Sequence, residues 1–199
     1  MPSRSPGHLG VPPAKASTRN GSPALKPLIV VKSLVNTALL LAATLILGLS
    51  PLGFLTVPGS GKAITVMHVP VILAATLVSP LAAGLVGATF GLLAGLKFQA
   101  PPLIYHVVTR ALAGIVGGLT FQAISRTAEE GSKVTKASLA TAVTTTAANT
   151  LFMSAAIFIL HLADPAELFS VAYVHGVIEL TIAVVITTPV TIALKARTP

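Results

Sequence analysis

The chain has 199 residues, 53% of them hydrophobic and only 9% charged, with a mean hydropathy of +0.88. That balance excludes a soluble globular protein, and the absence of cysteine excludes a disulfide framework, a thiol nucleophile and a thiolate metal site. A net charge of +8 would suit a nucleic-acid partner, but its distribution along the chain argues for membrane topology instead.

Residues 1–27 contain Pro, Ser, Gly, Lys and Arg without an apolar run, so a disordered cytoplasmic tail with no cleavable signal is expected there. Residues 28–195 then form one transmembrane domain of six apolar segments, at 28–49, 63–78, 81–98, 103–124, 137–160 and 171–194. The expectation is an all-α integral membrane protein with six transmembrane helices. The second segment is short and carries Pro70, which predicts a bent helix. An external loop over 51–62 is long enough to fold over a cavity mouth. Within it, Gly59-Ser60-Gly61-Lys62 has the look of a phosphate loop, but Thr56 and Ala63 stand where that pattern needs Gly and Ser or Thr.

With the N-terminus inside, Arg4, Lys15, Arg19, Lys26, Lys32, Arg126, Lys133, Lys136, Lys195 and Arg197 share one side. Lys62, Lys97 and Arg110 fall on the other, near span ends. This is the positive-inside pattern, with both termini and the loop at 125–136 cytoplasmic. Glu129-Glu130 in that loop is expected to be solvated. Small residues recur at Gly84, Gly87, Gly91 and Gly95 in the third segment and at Gly114 and Gly118 in the fourth. Such rows let helix backbones approach closely in lipid, and packing within the bundle is their expected use. Ala38 and Ala42 form a shorter row on the first segment, an end helix free to meet another subunit.

Arg110 and Glu179 are ionisable groups inside or at the outer end of apolar stretches. A charge at membrane depth costs roughly 2.5–3.5 kcal/mol on insertion scales, so it needs a partner or a polar cavity. Two roles stay open: an ion pair locking two helices, or a functional site. His106 stands four residues before Arg110, and His175 four before Glu179. Each pair therefore shares a helix face, and two helices present a His and a charge at matching depth. Asn149, flanked by Thr144, Thr145, Thr146 and Thr150, offers amide hydrogen bonds to the same space or to a neighbouring helix. His68, His106, His161 and His175 lack helical metal-site spacing, so no metal site and no cofactor are expected.

The run from Ala63-Ile64-Thr65-Val66-Met67-His68-Val69-Pro70 through Gly84-Leu85-Val86-Gly87-Ala88-Thr89-Phe90-Gly91 resembles the second and third helices of the substrate-binding S component of energy-coupling-factor (ECF) vitamin transporters. Thr109-Arg110-Ala111-Leu112-Ala113-Gly114 is similar to that family's Pro-Arg-x-Leu-x-Gly run, with Thr109 in place of Pro. Ala148-Asn149-Thr150 resembles its Thr-Asn-Thr run, and Val177-Ile178-Glu179-Leu180 with Thr187-Thr188-Pro189 resembles its final helix. The pantothenate and hydroxymethylpyrimidine branch is the most similar. The resemblance implies a six-helix plasma-membrane bundle that captures one vitamin on its outer side and performs no enzymatic chemistry. It also implies a transmembrane T component, docked on the Ala38 and Ala42 row, and two separate ATPase subunits. The expected pocket uses His106, Arg110, Asn149, His175 and Glu179, with the loop at 53–62 as a lid. The planar fork of Arg110 suits a carboxylate, which favours pantothenate. A neutral hydroxymethylpyrimidine is the alternative if Glu179 already neutralises Arg110. A membrane-embedded enzyme or a small channel subunit is the reading from outside this class.

Overall fold

The computed structural model describes residues 25–56 and 63–197. The expected tail up to position 24, the Gly59–Lys62 motif and the tip of the expected lid lie outside these described residues. The elements run α1 (Leu25–Leu49), a short 3₁₀ turn (Pro51–Gly53), β1 (Phe54–Thr56), β2 (Ala63–Thr65), α2 (His68–Leu77), α3 (Pro80–Lys97), α4 (Leu103–Thr127), α5 (Lys133–Ile159) and α6 (Pro165–Ala196). Among the described residues, five helices are long and apolar enough to cross a membrane, and α2, at ten residues, is not.

The second segment is where the sequence expectation departs from the structure. A single helix over 63–78 was expected. Its first three residues instead form β2, paired antiparallel with β1 in the register Phe54 to Thr65, Leu55 to Ile64 and Thr56 to Ala63. Ten helical residues rise about 15 Å, half of a hydrocarbon core of about 30 Å. The hairpin precedes α2, at the same end of the bundle as the N-terminus of that helix. Non-helical backbone is tolerated at membrane depth only where protein or a cavity covers it, and α2 meets that condition. It packs against α1, α3, α4, α5 and α6, and seven of its ten residues are buried. Pro70 does not bend the helix, because it falls in the first turn, where the missing N–H would have had no partner in any case.

Local chemistry sets the other boundaries. Ser79 caps α3 by accepting from the Ala82 N–H at 3.1 Å, and Pro80 follows at the first helical position. Pro165 starts α6 the same way, six residues before the expected start of the sixth segment. Asp164 precedes it without a side-chain cap.

Two apolar clusters hold α2 in place. One gathers Phe54, Met67, Val71, Val86 and Phe90 between the hairpin, α2 and α3, and the other joins Ile72, Ala142 and Ala183 across α2, α5 and α6. Antiparallel α3 and α4 meet backbone to backbone along the glycine rows. A Cβ on Gly87 would collide with the carbonyl of Arg110, one on Gly91 with the carbonyl of His106, and one on Gly114 with the carbonyl of Ala83. The rows thus fix the height of His106 and Arg110. α1 lies at the edge of the bundle against α2 and α3, with Leu34, Leu39 and Ile46 exposed. Ala38 and Ala42 are exposed on it as well.

Candidate functional site

The β-hairpin, the N-terminal half of α4, the C-terminal half of α5 and the N-terminal half of α6 enclose a cavity of about 320 Å³. All five residues singled out from sequence line it: His106 and Arg110 from α4, Asn149 from α5, His175 and Glu179 from α6. His106, Arg110, Asn149 and Glu179 are buried, and His175 is half-buried. The volume lies at the lower end of the range for small-molecule pockets.

Arg110 turns back along its own helix. Its Nη1 donates to Nδ1 of His106 at 3.0 Å and to the His106 carbonyl at 3.3 Å. Arginine has donors only, so Nδ1 accepts, and the ring proton of His106 sits on Nε2. The guanidinium also lies 4.6 Å from the Phe90 ring centroid, a cation–π stack that fixes its plane. The backbone alignment of α3 and α4 brings Phe90 under it. Phe54 meets Phe98 edge to face at 5.2 Å, and both rings line the cavity beside the Arg110 pocket.

Glu179 is held elsewhere. Its Oε1 accepts the Thr65 N–H at 2.8 Å, and its Oε2 lies 3.9 Å from Nδ1 of His68. Among the described residues, no Arg110 nitrogen comes within 4 Å of a Glu179 oxygen. The two charges face one cavity without forming a direct ion pair, so the helix-locking pair that stayed open in the sequence is not made here. The reason is the hairpin. The Thr65 N–H, at the end of β2 and at the depth of mid-α6, points to α6, and the carboxylate satisfies it, as a buried backbone donor requires. The same turn is tied again by Thr65 Oγ1 donating to the Gly53 carbonyl at 3.0 Å and by the Val66 N–H donating to it at 3.2 Å.

Thr65, His68, Phe54 and Phe90 were not singled out for the site. His68 was weighed as a metal ligand or a partner for helix backbone or water, and its ring stacks edge to face on Phe90 at 5.3 Å. A His two residues before Pro70, in an otherwise apolar segment, was the available signal. The strand that brings Thr65 to Glu179 had none, because Ala63-Ile64-Thr65 is as apolar as a helix start.

Buried polar atoms without a hydrogen-bond partner in the wall include Nε of Arg110, a donor, and Oδ1 of Asn149, an acceptor. A buried polar group left unmade costs about 1–3 kcal/mol, so the cavity is complementary to a molecule that carries both an acceptor and a donor. Thr150, Ala172 and Gly176 form the wall between α5 and α6 and also line a second cleft on the outer face of those two helices. No serine, threonine or carboxylate stands in a hydrogen-bonded nucleophile–base pair among the described cavity residues.

Residues 32–191 match a protein-family model described as ECF transporter, substrate-specific component. Comparison with curated proteins returns no match.

Proposed function

The chain belongs to the ECF transporter substrate-specific component family, and on that premise we propose that its cavity captures pantothenate for ATP-driven uptake. The family is one of transporter components and not of enzymes, and its members are multi-pass membrane proteins that associate with T and ATPase subunits of an ECF module. The choice of pantothenate rests on one observation: Arg110 is buried in the cavity wall without a carboxylate in direct contact.

A guanidinium in that state attracts an anion, and its open Nε provides a charge-assisted bond to a carboxylate oxygen. Pantothenate carries that carboxylate at one end and hydroxyl and amide donors at the other, where Asn149 Oδ1 accepts. Its gem-dimethyl segment suits the apolar wall made by Phe54, Phe98, Met153 and Ile157. Hydroxymethylpyrimidine is the second reading, supported by Glu179 and Asn149 as acceptors for a ring amine. Arg110, however, would then have no anion to meet.

The cavity lies at the end of the bundle opposite the 128–132 connection and the C-terminus of α6. Charge bias puts that opposite end in the cytoplasm, so the cavity opens outward. Gly131 is exposed and a Cβ there meets nothing within 4 Å, so Gly131→Cys reports orientation without strain. An impermeant thiol reagent should leave it unlabelled in intact cells and label it in permeabilised ones.

The deciding experiment is thermal stabilisation of the purified protein by pantothenate and by hydroxymethylpyrimidine, with Arg110→Gln beside the wild type. Pantothenate should raise the wild-type unfolding temperature, and Arg110→Gln should weaken its binding by about a hundredfold, or ~2.7 kcal/mol. Stabilisation by the pyrimidine alone, undiminished in Arg110→Gln, would transfer the site to the neutral ligand.

A further inference from the structure

At the other end of the molecule, α1, the end of α2 and the last turn of α6 leave a groove of about 390 Å³. It is lined by Lys32 and Asn36 from α1, Lys195 from α6, and apolar side chains that include Leu40, Leu77 and Leu194. Lys32 stands near one end of the Val30–Leu49 span, and Lys195 one residue before the end of the Leu168–Ala196 span. The two ammonium groups therefore share one bilayer interface. Lys195 is positioned by its own bundle: its Nζ lies 4.7 Å from the Phe121 ring centroid on α4. Thr76 and Thr191 share a hydrogen bond at 3.0 Å, which fixes the end of α2 against α6 beside the groove.

We propose that this groove is a binding site for one anionic phospholipid of the cytoplasmic leaflet. The headgroup phosphate sits between Lys32 and Lys195 with Asn36 as an amide donor, and an acyl chain lies along the leucines below. Charge and shape select this occupant together. Basic pockets between helices on the cytoplasmic side hold anionic headgroups, and each nearby Lys adds attraction that fades within a Debye length. A soluble anion has no use for leucine walls directly under the cations. A zwitterionic lipid fills the walls but brings an ammonium to two others. The site is separate from the vitamin cavity and does not depend on which vitamin is bound.

The test is native mass spectrometry of the full-length protein released from nanodiscs containing phosphatidylglycerol and phosphatidylcholine. The wild type should retain one phosphatidylglycerol. Lys32→Gln with Lys195→Gln should lose it by about thirtyfold, the effect of two lysines at an anionic surface. Arg126→Gln with Lys136→Gln makes the same charge change at the same end of the bundle and should retain the lipid. Lys32→Arg with Lys195→Arg should retain it too, and it carries the test together with the single Lys32→Gln if the double Gln variant does not fold.

Three results would overturn the proposal. Equal loss in both charge-neutralised pairs would mean diffuse attraction without a site. Protection against unfolding by glycerol phosphate as strong as by phosphatidylglycerol would make it a soluble-anion site. Undiminished lipid retention with loss of T-component co-purification in the Lys32→Gln, Lys195→Gln pair would give the groove to a partner helix.

Discussion

The α3–α4 seam and the α5–α6 seam are built on opposite plans. Along the first, Gly84, Gly87, Gly91, Gly114 and Gly118 bring two backbones so close that any added methyl meets a neighbouring carbonyl, proline or side chain. Along the second, Gly176 has room: a Cβ there would meet only the Thr150 side chain, at 3.6 Å. The first seam leaves no space and holds Arg110 and His106 at a fixed height. The second leaves the cavity wall thin at Thr150, Ala172 and Gly176. One side of the site is a rigid platform for a charge, and the other is a wall with space to yield to a ligand.

The largest effect should come from breaking the platform. Gly91→Val places atoms on the His106 carbonyl and the Val107 Cα, which are backbone and cannot swing aside. Overpacking of this kind costs typically about 1–3 kcal/mol and occasionally more, and here it also displaces His106. The unfolding temperature should fall sharply and vitamin binding should be lost. A fully stable Gly91→Val would show that the seam is looser than the geometry says.

The next effect concerns the charges suspended between the two seams. Glu179→Gln keeps an acceptor for the Thr65 N–H, whereas Glu179→Ala leaves that buried donor unpaired at a cost of about 1–3 kcal/mol. A double-mutant cycle of Arg110→Gln with Glu179→Gln, read by thermal unfolding, should give weak coupling in the apo protein and stronger coupling with saturating pantothenate, since a shared ligand bridges the two. Strong coupling without ligand would restore the direct pair.

On the yielding side, Gly176→Ala should be neutral or stabilising by up to about 1 kcal/mol, because glycine is the weaker helix former. Its methyl enters the cavity wall, so pantothenate affinity should drop by less than tenfold, or ~1.4 kcal/mol. A collapse like that of Gly91→Val would erase the contrast between the seams.

The smallest effect on folding should come from α1, which belongs to neither seam. Ala38→Trp and Ala42→Trp add bulk on an exposed face, so the unfolding temperature and vitamin binding should stay at wild-type values while co-purification with the T and ATPase subunits is lost. Loss of binding with assembly intact would place the row inside the bundle.

Much of this contrast was legible in the chain. Apolar runs longer than a bilayer is thick determine five of the spans, because lipid forces every backbone group to be satisfied within its own segment. The glycine spacing in α3 and α4 identified a close seam, since helical rows follow from residue geometry alone. The His and charge pairs four apart put His106 with Arg110 and His175 with Glu179 on single faces, and both faces line the cavity. Only the tertiary structure decided what those charges touch. Ala63-Ile64-Thr65 has no local signal for a strand, and its pairing with Phe54-Leu55-Thr56 is made only in the fold, above a ten-residue helix that is mostly buried. That strand end brings a bare N–H to Glu179, and the carboxylate satisfies it instead of meeting Arg110. A pairing over 114 positions in sequence is set by which groups are buried together, and no spacing rule reads that from the chain.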